Sequence, residues 1–287
     1  MLRRIIFFLL LLPACSFAQY FEVGLKAGAS NYMGDLSPVF ITPIETHPAG
    51  GAFFRFNPAS ALTLQLNYDY GRISGDDDNG YKKFNKRRNL GFRSDITEYG
   101  FQVQWNMAGF RGPLGGRSFS PYLYAGVAYY HFNPKANFRG AWVDLAPLMT
   151  EGRAYALNQF SFPLGLGFKR ALNDHWNLGF DIGFRKTLTD YLDDVSSYYP
   201  DPSLLGSQTA VLLSDRSWEW NDVPYFKPGA NRGNPAFKDW YVLAGITLSY
   251  VFGGNVITFD DASYLNPVSC PSFGDPKHKH KHVRQER

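Results

Sequence analysis

The chain of 287 residues offers few side chains whose type and spacing suit catalysis. None of the patterns G-x-S-x-G, H-E-x-x-H or the P-loop occurs, so the usual serine, zinc and phosphate sites have no sequence signature here. His131 and His175 lie near the ends of predicted strands, but on opposite rims. An isolated histidine is more typical of an interfacial side chain than of a general base. We therefore predict that the protein is not an enzyme and needs no cofactor.

Three charged runs could bind ions. "GDDDNG", residues 75–80, has closely spaced oxygen ligands for calcium but lacks the downstream glutamate of an EF-hand, which favours a solvated loop. The basic run "KKFNKRR", residues 82–88, is predicted at the outer surface, against anionic lipopolysaccharide or in solvent. "KHKHKH" near the C-terminus could hold a transition metal weakly, but its composition is typical of a polar tail. No metal site is predicted.

A further set of charged residues follows a period of two. In "EVGLKAGAS", residues 22–30, Val23 and Leu25 alternate with Glu22 and Lys26. Charges on the polar faces of this and later segments are Glu22, Lys26, Arg55, Asp69, Glu98, Lys169, Asp181 and Arg185. Four acids against four bases predict a packed network of ion pairs, because an unpaired buried charge is costly. The alternative is a small-solute channel lined by the same groups.

The elements that carry these charges are eight predicted strands. Bulky apolar side chains occupy one face of most strands, and glycine, small and polar residues occupy the other; the fifth strand, "PYLYAGVAYYHF", is apolar on both faces. A narrow barrel has room inside only for small and polar groups, so the bulky face should contact lipid. A soluble sandwich or lipocalin-like barrel, the alternative, would place the bulky face inside.

Connection length supports a membrane barrel. Short links follow the second, fourth and sixth strands, and long links follow the first, third, fifth and seventh. This alternation is typical of outer-membrane barrels, with short periplasmic turns and long extracellular loops. We predict an all-β fold, an eight-stranded antiparallel transmembrane up-and-down barrel over residues 19–252, with both termini in the periplasm. The predicted aromatic girdle residues are Tyr32, Tyr68, Tyr70, Trp105, Trp176, Trp240, Tyr250 and Phe252.

The ends of the chain point to export. Arg3 and Arg4, an apolar stretch and a small-x-small site predict a signal peptide over residues 1–18. A lipoprotein signal that ends at Cys15 is the alternative. Residues 253–287 are predicted to form a periplasmic tail. The formal net charge is only +4, and most of the excess lies in this tail, so the body of the protein gives no support for nucleic-acid binding.

The tail contains the only cysteine of residues 19–287. Cys270 cannot close an internal disulfide, so it is either free or paired with another chain. Its apolar neighbours would form a contact surface for another periplasmic protein. The predicted partner-binding residues are Tyr264, Leu265, Val268, Cys270, Pro271 and Phe273.

Several segments together resemble a known family. "EVGLKAGASNYMGDL" near the mature N-terminus, "RGNPAFKDWYVLAGITLSYVFG" at the last strand and the later "CP" are similar to the PorG-type outer-membrane barrel of the type IX secretion system. The resemblance implies an accessory, non-enzymatic component that associates with a periplasmic ring made of a lipoprotein and its partner subunit. It therefore implies an anchoring or docking role in the outer membrane, with the tail as the contact. The alternative is a small porin-like or ligand-binding barrel that uses its long loops.

Overall fold

The structure is a computed structural model that describes residues 20–37, 42–80, 83–110, 117–221 and 223–252. The predicted signal peptide and the predicted periplasmic tail lie outside the described residues. The six predicted partner-binding residues, including Cys270, therefore also lie outside them.

The described part of the chain consists mainly of nine strands with three short α-helices in the connections. The strands are β1 Tyr20–Met33, β2 His47–Ala59, β3 Leu62–Asp76, β4 Gly91–Asn106, β5 Phe119–Phe138, β6 Ala141–Asp144, β7 Asn158–Ala171, β8 Trp176–Thr187 and β9 Trp240–Phe252. The helices are α1 Lys83–Arg88, α2 Gln208–Ser214 and α3 Trp218–Asn221. Within these residues, no helix is long and apolar enough to cross a membrane.

Eight of the strands form a closed antiparallel barrel, which confirms the predicted fold. Each strand pairs with its neighbour in the chain, except that β6 is a short strand hydrogen-bonded only to β5. The barrel closes between the first and last strands, where Val23 lies opposite Tyr250 and Ala27 lies opposite Ile246. Every backbone edge of the eight strands is therefore paired, as a membrane barrel requires.

The two rims of the barrel differ. One rim, the turn rim, carries the start of β1 and the end of β9. It also carries the two-residue turn of residues 60–61 and the short turn of residues 172–175. The other rim, the loop rim, carries four long connections, residues 34–46, 77–90, 139–157 and 188–239. We call the described parts of these four connections the loop cap.

The outer wall is apolar and the interior is polar. Leu25, Leu66 and Ile246 are 68%, 57% and 59% exposed, although a water-soluble core would bury them. Such a continuous apolar surface is stable only in a hydrocarbon environment, so the barrel is a transmembrane barrel of the outer-membrane type. Near the turn rim, Trp105 and Trp176 point outward, in the positions of an interfacial girdle.

The structure settles the orientation of β5, which the sequence leaves open. Tyr122, Tyr124 and Tyr130 point into the lumen and are buried, whereas Leu123 and Val127 point to lipid. The neighbouring strands β7 and β8 make room for these rings with glycine: a Cβ atom on Gly183 would lie 1.9 Å from the Tyr124 hydroxyl oxygen. The glycine-rich faces therefore accommodate tyrosines that fill the barrel.

Candidate functional site

The lumen contains all eight of the charged residues predicted to face inward. Seven are buried, and the Lys26 side chain is 10% exposed. The strands place them there because each is at an inward position of the alternating pattern. Six of the eight take part in ion pairs, in two groups at different levels of the barrel.

The group nearer the loop rim is centred on Arg185. Its guanidinium lies 3.4 Å from Glu98 Oε2 and 3.9 Å from Asp69 Oδ2. Lys26 Nζ lies 2.6 Å from Asp69 Oδ1, and the Tyr241 hydroxyl donates to Glu98 Oε2 at 2.5 Å. The network thus joins strands from opposite sides of the barrel and fills the space between them.

The group nearer the turn rim is centred on Glu22. Arg55 Nη1 lies 3.4 Å from Glu22 Oε2, which also accepts a hydrogen bond from Ser249 Oγ at 2.7 Å. Asn57 Nδ2 donates to Glu22 Oε1 at 3.0 Å, and Arg55 Nε donates to Gln65 Oε1 at 2.7 Å. These bonds give the buried carboxylate several donors, which offsets the cost of its desolvation.

Lys169 and Asp181 depart from the expectation that every lumen charge is paired. Lys169 Nζ donates to Thr63 Oγ1 at 3.1 Å and lies 5.0 Å from the centre of the Phe110 ring. Asp181 Oδ1 has no hydrogen-bond partner among the described residues. The strand register explains the difference, because each of the two residues lies opposite a glycine of the neighbouring strand rather than opposite the other charge.

The loop cap covers one mouth of the barrel with a core of its own. Buried apolar residues from the strand ends and three of the connections pack together over the charged lumen. The cluster contains Tyr32, Leu36, Ile73, Leu90, Phe92, Ile96, Tyr130, Phe132, Leu192, Val195, Tyr241 and Leu243. The loops are therefore packed like a small soluble domain rather than extended into solvent.

Two buried arginines join the four connections. Arg88 makes two hydrogen bonds to the Asp77 carboxylate, at 2.8 and 2.7 Å, and donates to the carbonyl oxygens of Asp35 and Arg232. Arg232 Nη1 lies 3.0 Å from Glu151 Oε1, and Arg232 Nε donates to the carbonyl oxygen of Ser214. Arg88 thus ties three connections together, and Arg232 ties the fourth to them through Glu151.

This position of Arg88 corrects the sequence-based expectation for residues 82–88. The basic run was predicted to lie at the surface, but its last arginine is 2% exposed and paired with Asp77 of the acidic run. The acidic run is accordingly part of the cap, since Asp77 is buried and Asp76 accepts a hydrogen bond from the amide of Asp78. Within the described residues, no group of three potential ligands among His, Cys, Asp and Glu could hold a metal ion.

Tyr32 also differs from its predicted place in the outer girdle. It is fully buried, and its hydroxyl lies 2.7 Å from Asp193 Oδ2 and 3.0 Å from Asp239 Oδ1. A hydroxyl has one proton to donate, so two ionised carboxylates cannot both accept from it. Burial raises the pKa of both Asp193 and Asp239 well above the usual range. The trio is therefore stable when one carboxyl group is protonated.

Asp190 makes the loop cap sensitive to pH. Burial raises the pKa of Asp190 to about 6; Asp35 and Glu151 act in the same direction and Lys238 opposes them. The folded pKa lies above the value of about 3.9 for an unfolded aspartate. The closed cap therefore holds a proton that the open loops release, and its stability falls as the pH rises from about 4 to 6.

We predict that Asp190→Asn removes this contribution. The asparagine oxygen can still accept the hydrogen bond that Ser196 Oγ donates to Asp190 Oδ2, and the other Asp190 oxygen has no partner to lose in the described structure. Proteolysis of the loop cap should be about tenfold or more slower than in the wild type at pH 8 and within about twofold of the wild type at pH 4. The exposed Asp78→Asn serves as the control; an equal effect of Asp190→Asn at both pH values would contradict the prediction.

The two histidines considered from sequence lie apart, as expected from their rims. His131 Nδ1 lies 2.9 Å from Asn158 Oδ1 on the outer wall, near the loop rim. His175 lies in a turn of the opposite rim, where its ring stacks on Tyr250 at a centroid distance of 5.6 Å. Within the described residues, neither histidine contacts a serine or a carboxylate, so the two do not form a site together.

Comparison with known proteins gives a family and several similar barrels. No curated protein matches the chain in sequence. Among solved structures, the N-terminal β-barrel domain of Pseudomonas aeruginosa OprF is 11% identical, with 80% of this chain and 97% of that chain covered and a TM-score of 0.35. Neisserial surface protein A is 9% identical, with 81% and 97% covered and a TM-score of 0.41. The outer membrane protein OprG of Pseudomonas aeruginosa is 12% identical, with 83% and 97% covered and a TM-score of 0.40.

A family model provides the broader match. It is described as a domain of unknown function, DUF6089, and it matches residues 2–207. The matched range includes strands β1 to β8 and the N-terminal part of the last connection. Because the match covers more than half of the sequence, the chain belongs to the DUF6089 family.

Proposed function

We propose that the chain is a non-conducting outer-membrane component of a type IX protein-secretion machinery, which anchors or docks periplasmic ring subunits. In this proposal the turn rim faces the periplasm and the loop cap faces the cell exterior. Residues 253–287 then continue from β9 on the periplasmic side. Cys270 and its apolar neighbours contact the ring, either by packing or through an intermolecular disulfide.

The observation that carries the proposal is the filled interior. Arg185, Glu98 and Asp69 occupy the centre of the lumen, and the loop cap packs over one mouth. A barrel of eight strands has little interior space beyond that of its side chains. Such a barrel is better suited to holding a position in the membrane than to passing a solute.

The type IX assignment rests on the sequence resemblance. The similar segments are the first strand with its exit, residues 22–36, and the last strand with the residues before it, residues 232–253. They include Arg232, which joins the connections of the loop cap, and the inward Lys26 of the lumen network. The resemblance thus involves residues with structural roles in the first strand and in the segment that leads into the last strand.

Site-specific crosslinking tests the docking role. A photoreactive probe on Cys270 in cells should give a crosslinked product with a ring subunit, and deletion of residues 253–287 should abolish secretion of the machine's cargo. The matched control is Cys270→Ser with Ser118→Cys, which moves the thiol to an exposed position of the turn rim outside the tail. If secretion is intact without the tail and the Cys270 probe captures no more than the control, the docking proposal fails.

The second candidate is a small porin-like barrel, and unsatisfied polar atoms in the lumen favour it. Tyr122 Oη, Gln104 Oε1 and Asp181 Oδ1 are buried without a hydrogen-bond partner in the described structure. Polar atoms of this kind are usually satisfied by water, which implies some hydration of the lumen. Planar-bilayer recordings separate the candidates, since reproducible channel openings from the purified protein would favour the porin and contradict a non-conducting anchor.

A further inference from the structure

The outer surface of the loop cap contains a cleft that the anchoring role does not use. Its volume is 480 Å³, and its lining residues are Asp78, Lys86, Arg87, Trp220 and Tyr225. They come from two connections, residues 77–90 and 188–239, which the buried Arg88 holds together through the carbonyl oxygen of Arg232. The cleft therefore has a fixed floor formed by the core of the cap.

The two cations of the cleft are available to a ligand. Lys86 and Arg87 are both exposed on α1, and neither takes part in an ion pair within the described part of the chain. Some cations near the loop rim are paired: Arg72, Lys135 and Arg216 lie 2.6, 3.0 and 2.9 Å from carboxylate oxygens. Lys86 and Arg87 have no such carboxylate partner in the described structure, and both line the same cleft as Trp220 and Tyr225.

The two aromatic side chains of the cleft are largely exposed. Trp220 is 65% exposed and Tyr225 is 54% exposed, so burial in the cap does not account for them. The Arg87 guanidinium lies 5.5 Å from the centre of the Tyr225 ring, which orients both side chains. The backbone is also held in place, since the amides of Trp220 and Tyr225 donate to the carbonyl and hydroxyl oxygens of Ser217.

We propose that this cleft binds an anionic saccharide. The C–H face of a sugar ring packs on the Trp220 indole, and a sulfate, phosphate or carboxylate group of the sugar accepts hydrogen bonds from Lys86 and Arg87. The exposed Asp78 carboxylate accepts a hydrogen bond from a sugar hydroxyl. In the orientation proposed above, the cleft faces the cell exterior, where such a saccharide belongs to lipopolysaccharide or to a free polysaccharide.

Binding of a defined probe tests the proposal. We expect the mature chain in nanodiscs without lipopolysaccharide to bind sulfated maltohexaose and not maltohexaose. Lys86→Gln with Arg87→Gln should weaken binding about tenfold or more, and Trp220→Ala should weaken it to a similar extent. The control, Lys83→Gln with Lys227→Gln, removes the same charge from exposed positions outside the cleft and should leave binding within about twofold of the wild type.

Three results would overturn the proposal. Hexaglutamate, an acidic peptide, could bind as tightly as the sulfated sugar; Trp220→Ala could leave binding unchanged; or the control pair could weaken binding as much as the cleft pair. Each of these results would show that the cleft attracts anions in general and does not recognise a saccharide. Nanodiscs that contain lipopolysaccharide then identify the source: loss of probe binding there assigns the cleft to lipopolysaccharide, and unchanged binding assigns it to a free polysaccharide.

Discussion

Replacing Arg185 with leucine is expected to lower the free energy of unfolding of the barrel by about 3–5 kcal/mol. Arg185 is fully buried and is the cation between Glu98 and Asp69. Without it, the Glu98 carboxylate keeps its hydrogen bonds from Tyr241 and Asn67 but loses its cation, and Asp69 keeps Lys26 and its hydrogen bond from Asn67. The loss is large because the variant leaves a buried charge uncompensated, not because the ion pair itself is strongly stabilising.

Denaturant titration of the protein refolded into lipid vesicles measures this change. The matched control is Arg170→Leu, which removes an arginine from an exposed position of the neighbouring strand and should change stability by less than about 1 kcal/mol. Adding Glu98→Gln to Arg185→Leu should recover part of the loss, because it removes the orphaned charge. Strictly additive losses in the double variant would contradict the proposed pairing.

The fold was largely predictable because its signal is local and repeated. A period of two along each strand separates Val23 and Leu25 from Glu22 and Lys26. In a membrane barrel, the bulky apolar side of such a strand faces lipid. The same rule places Tyr32 inward, since β1 continues without a break to Met33. The girdle prediction for Tyr32 is wrong because it ends the first strand before Tyr32, whereas β1 extends to Met33 and the loop cap buries Tyr32.

The loop cap was not predictable in the same way. Arg88 is one of five basic residues in a seven-residue run whose composition is typical of a solvent-exposed segment, and two of its partners lie in other connections. The carbonyl of Arg232, for example, is 144 positions further along the chain. No local period marks such a contact, because loop side chains are placed by tertiary packing rather than by alternation. An acidic and a basic run close together was the only available signal.

The orientation of β5 was less predictable than the fold but more predictable than the loop cap. Both of its faces are apolar, so alternation alone could not decide whether Tyr124 or Leu123 points inward. The deciding feature is on other strands, where Gly165 and Gly183 leave the space that the Tyr124 ring fills. The sequence contains this information only as a pairing of large and small residues on adjacent strands, which requires the register to be known first.

Replacing Arg88 with glutamine is expected to open the loop cap without unfolding the barrel. The change removes both hydrogen bonds to Asp77 and the donors to the carbonyl oxygens of Asp35 and Arg232. Loss of one partner of a buried pair costs about 3–5 kcal/mol, so amide hydrogen exchange in residues 188–239 should accelerate by about 100-fold or more. The exchange of barrel strands should change little, since Arg88 does not enter the lumen network.

The neighbouring residue provides the control. Arg87 belongs to the same helix and has the same charge but is exposed, so Arg87→Gln should leave exchange in the cap within about twofold of the wild type.

The acceleration of exchange caused by Arg88→Gln should also shrink as the pH falls. Burial already raises the pKa of Asp77 and the Arg88 guanidinium lowers it, so without Arg88 the carboxyl group takes up a proton more readily and loses its buried charge. A ratio of variant to wild-type exchange rates that is the same at pH 5 and pH 8 would show that the uncompensated Asp77 charge is not what opens the cap.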